Sequence, residues 1–219
     1  MWAKLIYKEL LLIGRAKNGI LSMLVLVLSM IFIFHYSLEK NGKLDEISLI
    51  GLKWAIVFIV SFVLISQSNW EERESGAFRI NKAHLSPGLI FLGKSLAVFA
   101  IQIFVELFII LLFSIFFEKF ELSIENLKGN LIFLFPSTLS LSFLGIALGG
   151  LTHSTRLKEI LLPVLLIPLS LPVMLFGMEA ERKFLWDKKD FIFSMALIIS
   201  LAVFYGALGI FIQEVFNED

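Results

Sequence analysis

Six long runs almost free of charge dominate this 219-residue sequence. Few folds accept them. In lipid a backbone must satisfy its own N–H and C=O groups, so charge-poor runs of roughly 20 residues read as membrane-spanning α-helices. The predicted spans lie at about 18–38, 47–69, 89–117, 129–152, 160–178 and 191–213. Composition points the same way: 58% of residues are hydrophobic and 17% charged, against about 45–50% and about 25% in an ordinary soluble domain. The fold class is therefore an all-α membrane protein with one transmembrane domain over residues 1–219. Long first run, no small-residue cleavage site after it: span 1 is read as retained rather than cleaved.

Residues 2–17 precede that span. Trp2, Leu5, Ile6, Leu10 and Ile13 recur at helical spacing while Lys4, Lys8 and Arg15 share another face, which predicts an amphipathic helix along the membrane surface. The other reading is a polar start to span 1. Lys53 is placed near the outer end of span 2, its stem snorkelling to the headgroups, with Trp54 and Trp70 as interfacial anchors. Lys94 is expected near the water. Six spans put both termini on one side. Lysine and arginine number ten on that side and nine on the other, so the positive-inside rule does not choose an orientation.

The most informative polar stretch joins spans 2 and 3, over residues 70–86. Glu71, Glu72, Arg73 and Glu74 open it, Gly76 interrupts it, and Phe78 and Ile80 follow. Charge runs are often solvated loops. This one also has an amphipathic pattern long enough for a short helix lying on the membrane and docking into a groove of a soluble partner. Both readings stand at this point.

Several functions are excluded. With no cysteine, thiolate metal sites, disulfides and cysteine nucleophiles are out. A net charge of zero gives no sign of nucleic-acid binding. No zinc-protease, serine-hydrolase or phosphate-loop motif occurs, and Gly93-Lys94 lacks the rest of the last. His35, His84 and His153 are isolated near span ends or in links, without metal-ligand spacing, and read as interfacial polar residues. Glu106 lies mid-span one turn after Gln102. It is either part of an ion pathway or a protonated glutamate bonded to Gln102 or a neighbouring helix. With no second charge expected inside the spans, the latter is adopted. Gly145 and Gly149, followed by Gly150, have the spacing that lets helices approach closely, within the chain or between subunits. Pro163, Pro168 and Pro172 remove three backbone donors from span 5, which predicts a kinked or broken helix whose freed carbonyls are served by neighbours.

Two blocks resemble the CcmB family, haem exporter protein B, the membrane subunit of the ABC-type complex of cytochrome c maturation. The first is Glu72-x-Glu74-x-Gly76 followed by Gly93-Lys94 at the opening of span 3. The second, more specific, is Thr155-Arg156-x-x-Glu159-x-Leu161-Leu162-Pro163-x-Leu165-Leu166-x-Pro168-Leu169-x-x-Pro172-Val173. The resemblance implies an ABC-2 exporter-like fold in the bacterial inner membrane with both termini cytoplasmic. Residues 70–86 then form the coupling element for a CcmA-type ATPase, and Arg156 and Glu159 lie on the same side as a second contact. ATP and magnesium belong to that partner, and haem is handled by the complex rather than bound here. CcmC- and CcmD-type membrane proteins and a CcmE-type haem chaperone are the further partners implied, and ATP hydrolysis is linked to release of the loaded chaperone. Trp70 and Glu71 make the coupling stretch more acidic than the family pattern. An exporter subunit for another substrate and a stand-alone channel or carrier are the alternatives.

Overall fold

The computed structural model describes residues 17–39, 45–75, 86–120, 123–151, 158–187 and 191–216, with the backbone alone described at residues 17, 18, 39, 70–75, 125, 158–161, 186, 187 and 216. The described residues form six long helices: α1 (Lys17–Phe34), α2 (Glu46–Ser75), α3 (Pro87–Phe116), α4 (Ile124–Leu151), α5 (Lys158–Arg182) and α6 (Phe191–Phe216). A turn of π-helix extends α1 over His35–Glu39 and another extends α5 over Lys183–Asp187. All six are long and apolar enough to cross a membrane.

Local chemistry sets where the helices begin. Asp45 caps α2, its Oδ1 accepting the Ser48 N–H at 2.9 Å, and that bond holds the exposed carboxyl below the usual carboxylate range. Ser86 precedes Pro87, whose fixed φ suits a first helical position. The Ser86 carbonyl accepts from Leu89 and Ile90 at 3.0 and 3.2 Å. Ser123 Oγ accepts the Asn126 N–H at 3.1 Å and starts α4.

Helix α4 is the central post: 72% of its span is buried, against 17% for α1. It packs on α2, α3, α5 and α6, while α1 lies outside against α2 and α3. The shared core joins Trp54, Val57 and Leu64 of α2, Val98, Val105 and Phe113 of α3, and Phe133, Leu144 and Leu148 of α4. Phe32, Phe104, Leu175, Ile192 and Phe211 point outward, as a lipid-facing surface requires.

Three features differ from the expectations above. Helix α5 is unbroken through Pro163, Pro168 and Pro172, which removes the broken-helix alternative of the span 5 expectation. In that stretch the Tyr205 hydroxyl of α6 donates to the Leu169 carbonyl at 2.7 Å, in the turn before Pro172. Helix α5 also runs past Met178 to Arg182, so Glu179 and Glu181 belong to it rather than to a link. At the other boundary α2 does not stop at Asn69 but carries on through Trp70 and Glu71 to Ser75. The surface-helix residues 2–16, the remainder of the coupling stretch (76–85) and the link containing Arg156 lie outside the described residues, as do His84 and His153.

Candidate functional site

Polar side chains recur on the inward faces of α2, α3 and α4 and meet in a seam through the bundle. Lys53, Ser61 and Asn69 lie on α2, Lys94, Gln102 and Glu106 on α3, and Asn130, Thr138, Gly145 and Gly149 on α4. All of these polar side chains are buried. Spacings of four, seven or eight residues return to the same helix face, so each helix brings its polar groups to the same interface.

At the end of the bundle away from the termini, Lys53 makes an ion pair with Glu181 of α5, and both side chains have 0% exposure. The Lys53 ammonium also donates to Asn130 Oδ1. Trp54 Nε1–H donates to the second Glu181 oxygen at 2.6 Å, and Asn130 Nδ2 is anchored on the Asn126 carbonyl at 2.7 Å. Every charge here has a partner, which buried ions require. Two sequence expectations are corrected. Lys53 does not snorkel and Trp54 is no interfacial anchor, because Glu181, brought in by the extra turns of α5, captures both. Gly177 makes the fit possible: a Cβ there would lie 2.3 Å from the Trp54 ring. Glu181 and Asn130 line the floor of a cleft of about 430 Å³ whose rim carries Glu46, Glu118 and Lys119.

In the middle of the seam Thr138 Oγ1 lies 2.6 and 2.8 Å from the two oxygens of Glu106. Gln102 Nε2 donates to Ser61 Oγ and reaches Glu106 Oε1 at 3.3 Å. Ser61 Oγ–H donates to the Val57 carbonyl at 2.6 Å. Glu106 is therefore bonded to Gln102 and to a neighbouring helix. The premise that the spans hold no second buried charge is corrected by Lys53, Lys94 and Glu181.

At the end nearer the termini, Lys94 Nζ donates to Asn69 Oδ1 at 3.0 Å, and Asn69 Nδ2 reaches the Gly145 carbonyl at 3.4 Å. Lys94 is 5% exposed, not near the water as expected, because its ammonium turns inward onto Asn69 of α2. Gly145 and Gly149 face α2: a Cβ on the first would lie 2.5 Å from Ile65 and on the second 2.3 Å from Asn69 Oδ1. Their close approach is made within the chain.

Of the proposed coupling residues, Glu71, Glu72, Arg73 and Glu74 form the last turns of α2 beyond Asn69, while Gly76 lies outside the described residues. Glu159 is in the first turn of α5. His35 packs edge-on against Phe116 and Phe117, with ring centroids 5.5 and 5.8 Å away. Among the described residues no three metal-ligating side chains come together.

A family model described as CcmB protein matches residues 1–214. The chain belongs to the CcmB family. Membership makes it a multi-pass membrane component of the ABC system for haem export and cytochrome c maturation, a subunit that is not itself the catalyst. No curated protein and no solved structure matches it. What this CcmB family member adds to the assignment is the polar seam, of which Ser61, Asn130, Thr138 and Glu181 were not singled out in the sequence. The available signal was the helical period of Lys53–Ser61 and Asn130–Thr138 inside otherwise apolar runs.

Proposed function

We propose that this chain couples ATP hydrolysis on a CcmA-type partner to haem handling and to release of the haem-loaded CcmE-type chaperone. It sits in the bacterial inner membrane with both termini cytoplasmic, beside CcmC- and CcmD-type proteins. Nucleotide and magnesium sites belong to the ATPase, and haem is a substrate of the whole assembly.

The observation that carries this reading is the length of α2. Its 30 residues form one helix, about 45 Å at 1.5 Å per residue, whereas the hydrocarbon core is about 30 Å thick. The stretch Glu71–Glu74 thus extends the same rod that carries Lys53, Ser61 and Asn69. A force on the acidic end moves the polar seam directly, with no flexible joint between them. Closure of the ATPase dimer pushes this end, and Gly76 provides the turn that follows. Arg156 and Glu159 make the second contact at the start of α5. Proline-weakened α5, tied to α2 through Lys53–Glu181, is the element that switches between two arrangements.

The test is affinity purification of the tagged chain from gently solubilised membranes, alone and with Glu72→Arg plus Glu74→Arg. An ATPase subunit recovered with the parent and lost on charge reversal supports the reading. Recovery that survives the reversal, with cytochrome c levels intact, refutes the docking role of these residues.

A further inference from the structure

The cleft at the end of the bundle away from the termini takes no part in ATPase docking. It lies among the ends of α2, α3, α4 and α5 and has a volume of about 430 Å³, within the range of about 300–1,000 Å³ in which small molecules are held. Leu49, Ile50, Phe120 and Leu185 give it apolar walls. Its polar groups sit at two levels. Asn130 and Glu181 are buried and form the floor, while Glu46, Glu118 and Lys119 are exposed at the rim. Apolar walls around a few convergent polar groups are the usual make-up of a ligand site.

Charge sets the sign of a guest. The lining carries the carboxyl groups of Glu46, Glu118 and Glu181 against the one ammonium of Lys119. Lys53, behind the floor, neutralises Glu181, which leaves a carboxylate in excess. Asp45, next to Glu46 in the chain, adds to it, and Arg182 and Lys183 are both engaged with Glu179. Between apolar walls such an excess draws cations and repels anions more strongly than it would in open water. The floor adds a donor. Asn130 Oδ1 accepts from Lys53 and Nδ2 donates to the Asn126 carbonyl at 2.7 Å, but an amide nitrogen carries two hydrogens. The second has no acceptor among the described residues, although the side chain is 1% exposed and lines the cleft. A buried donor calls for an acceptor, and a guest in the cleft can supply it.

We propose that this cleft binds a small organic ammonium ion that also carries an oxygen acceptor, a protonated amino alcohol with an apolar body being the simplest such molecule. The body packs on Leu49, Ile50, Phe120 and Leu185, the ammonium lies against the rim carboxylates of Glu46 and Glu118, and the oxygen accepts from Asn130. Glu181 is a positioning residue: it holds Lys53, which in turn holds Asn130 by its Oδ1 and leaves Nδ2 for the guest. The site stands independently of ATPase docking at the opposite end of the bundle.

Calorimetric titration of the full chain in lipid nanodiscs tests this, with empty discs as the blank and phenylethanolamine, charged at neutral pH, as the probe. Saturable binding is expected. Styrene glycol, in which a hydroxyl replaces the ammonium, should bind at least about tenfold more weakly. Phenethylamine, which keeps the ammonium and lacks the hydroxyl, should bind about two- to tenfold more weakly. Mandelate, with a carboxylate in place of the aminomethyl group, should not bind. Glu46→Gln with Glu118→Gln should weaken the probe about tenfold and leave styrene glycol unchanged. No saturable binding of the probe, equal binding of either analogue, binding of mandelate, or indifference to the rim charges overturns the proposal. If the rim variant fails to accumulate, the order of the four compounds on the parent chain still decides.

Discussion

Lys53→Met removes the cation paired with Glu181, whose side chain has 0% exposure and whose second oxygen is held by Trp54. Breaking a buried pair from one side costs about 3–5 kcal/mol. That is a shift of roughly two to four powers of ten in the folding equilibrium. Glu181→Gln alone costs a similar amount, about 3–5 kcal/mol, because the amide oxygen can still accept from Trp54 but the Lys53 ammonium is left buried without its carboxylate. The informative variant is the double one. With both charges gone no ion is stranded, and Gln at position 181 still serves the indole. Lys53→Met with Glu181→Gln should therefore be more stable than Lys53→Met alone, by at least about 1 kcal/mol. Reversible unfolding in mixed micelles with rising detergent denaturant, followed by tryptophan fluorescence, measures all four corners of the cycle. Additive losses, or a double variant weaker than Lys53→Met, would refute the claim that this pair is a coupled buried unit.

Other predictions follow from single contacts. Gly149→Ala would place a methyl 2.3 Å from Asn69 Oδ1; the same unfolding assay should show a loss of about 1–3 kcal/mol, and Asn69→Ala should reduce that penalty. Tyr205→Phe removes the bond to Leu169 and should cost about 0.5–1.5 kcal/mol, whereas no change would mean that α5 needs no support in its proline-bearing turn. Asp45 is held below its ordinary value of 3.8 by the Ser48 bond. Its contribution is complete above that value and is lost as pH falls through the lower folded value, so Asp45→Asn should flatten the acid limb of a stability profile.

The six helices were legible because charge-free length is a local property, readable from each run alone. The boundaries of α5 were not. Glu179, Glu181, Arg182 and Lys183 together look like a solvated link, and only the packing of α5 on α2 turns Glu181 inward while Glu179 pairs with Arg182 on the outside at 3.0 Å. Lys53 was misread for the same reason: a lysine near a span end snorkels by default unless another helix brings a carboxylate. Glu106 was legible as far as its bond to Gln102, one turn away on the same helix. Its contact with Thr138 comes from a separate helix and has no local signature. Gly145 and Gly149 announced a close approach but could not say to what, because small residues specify distance and not identity.

The central claim is that the acidic end of α2 meets the ATPase. Because the chain has no cysteine, a single one can be placed at will. Glu72→Cys, treated with a short thiol–amine cross-linker in native membranes, should form a covalent adduct with the ATPase subunit, while Lys43→Cys on the opposite side should form none. An adduct from position 43, or none from position 72 where the two proteins still purify together, would contradict the account.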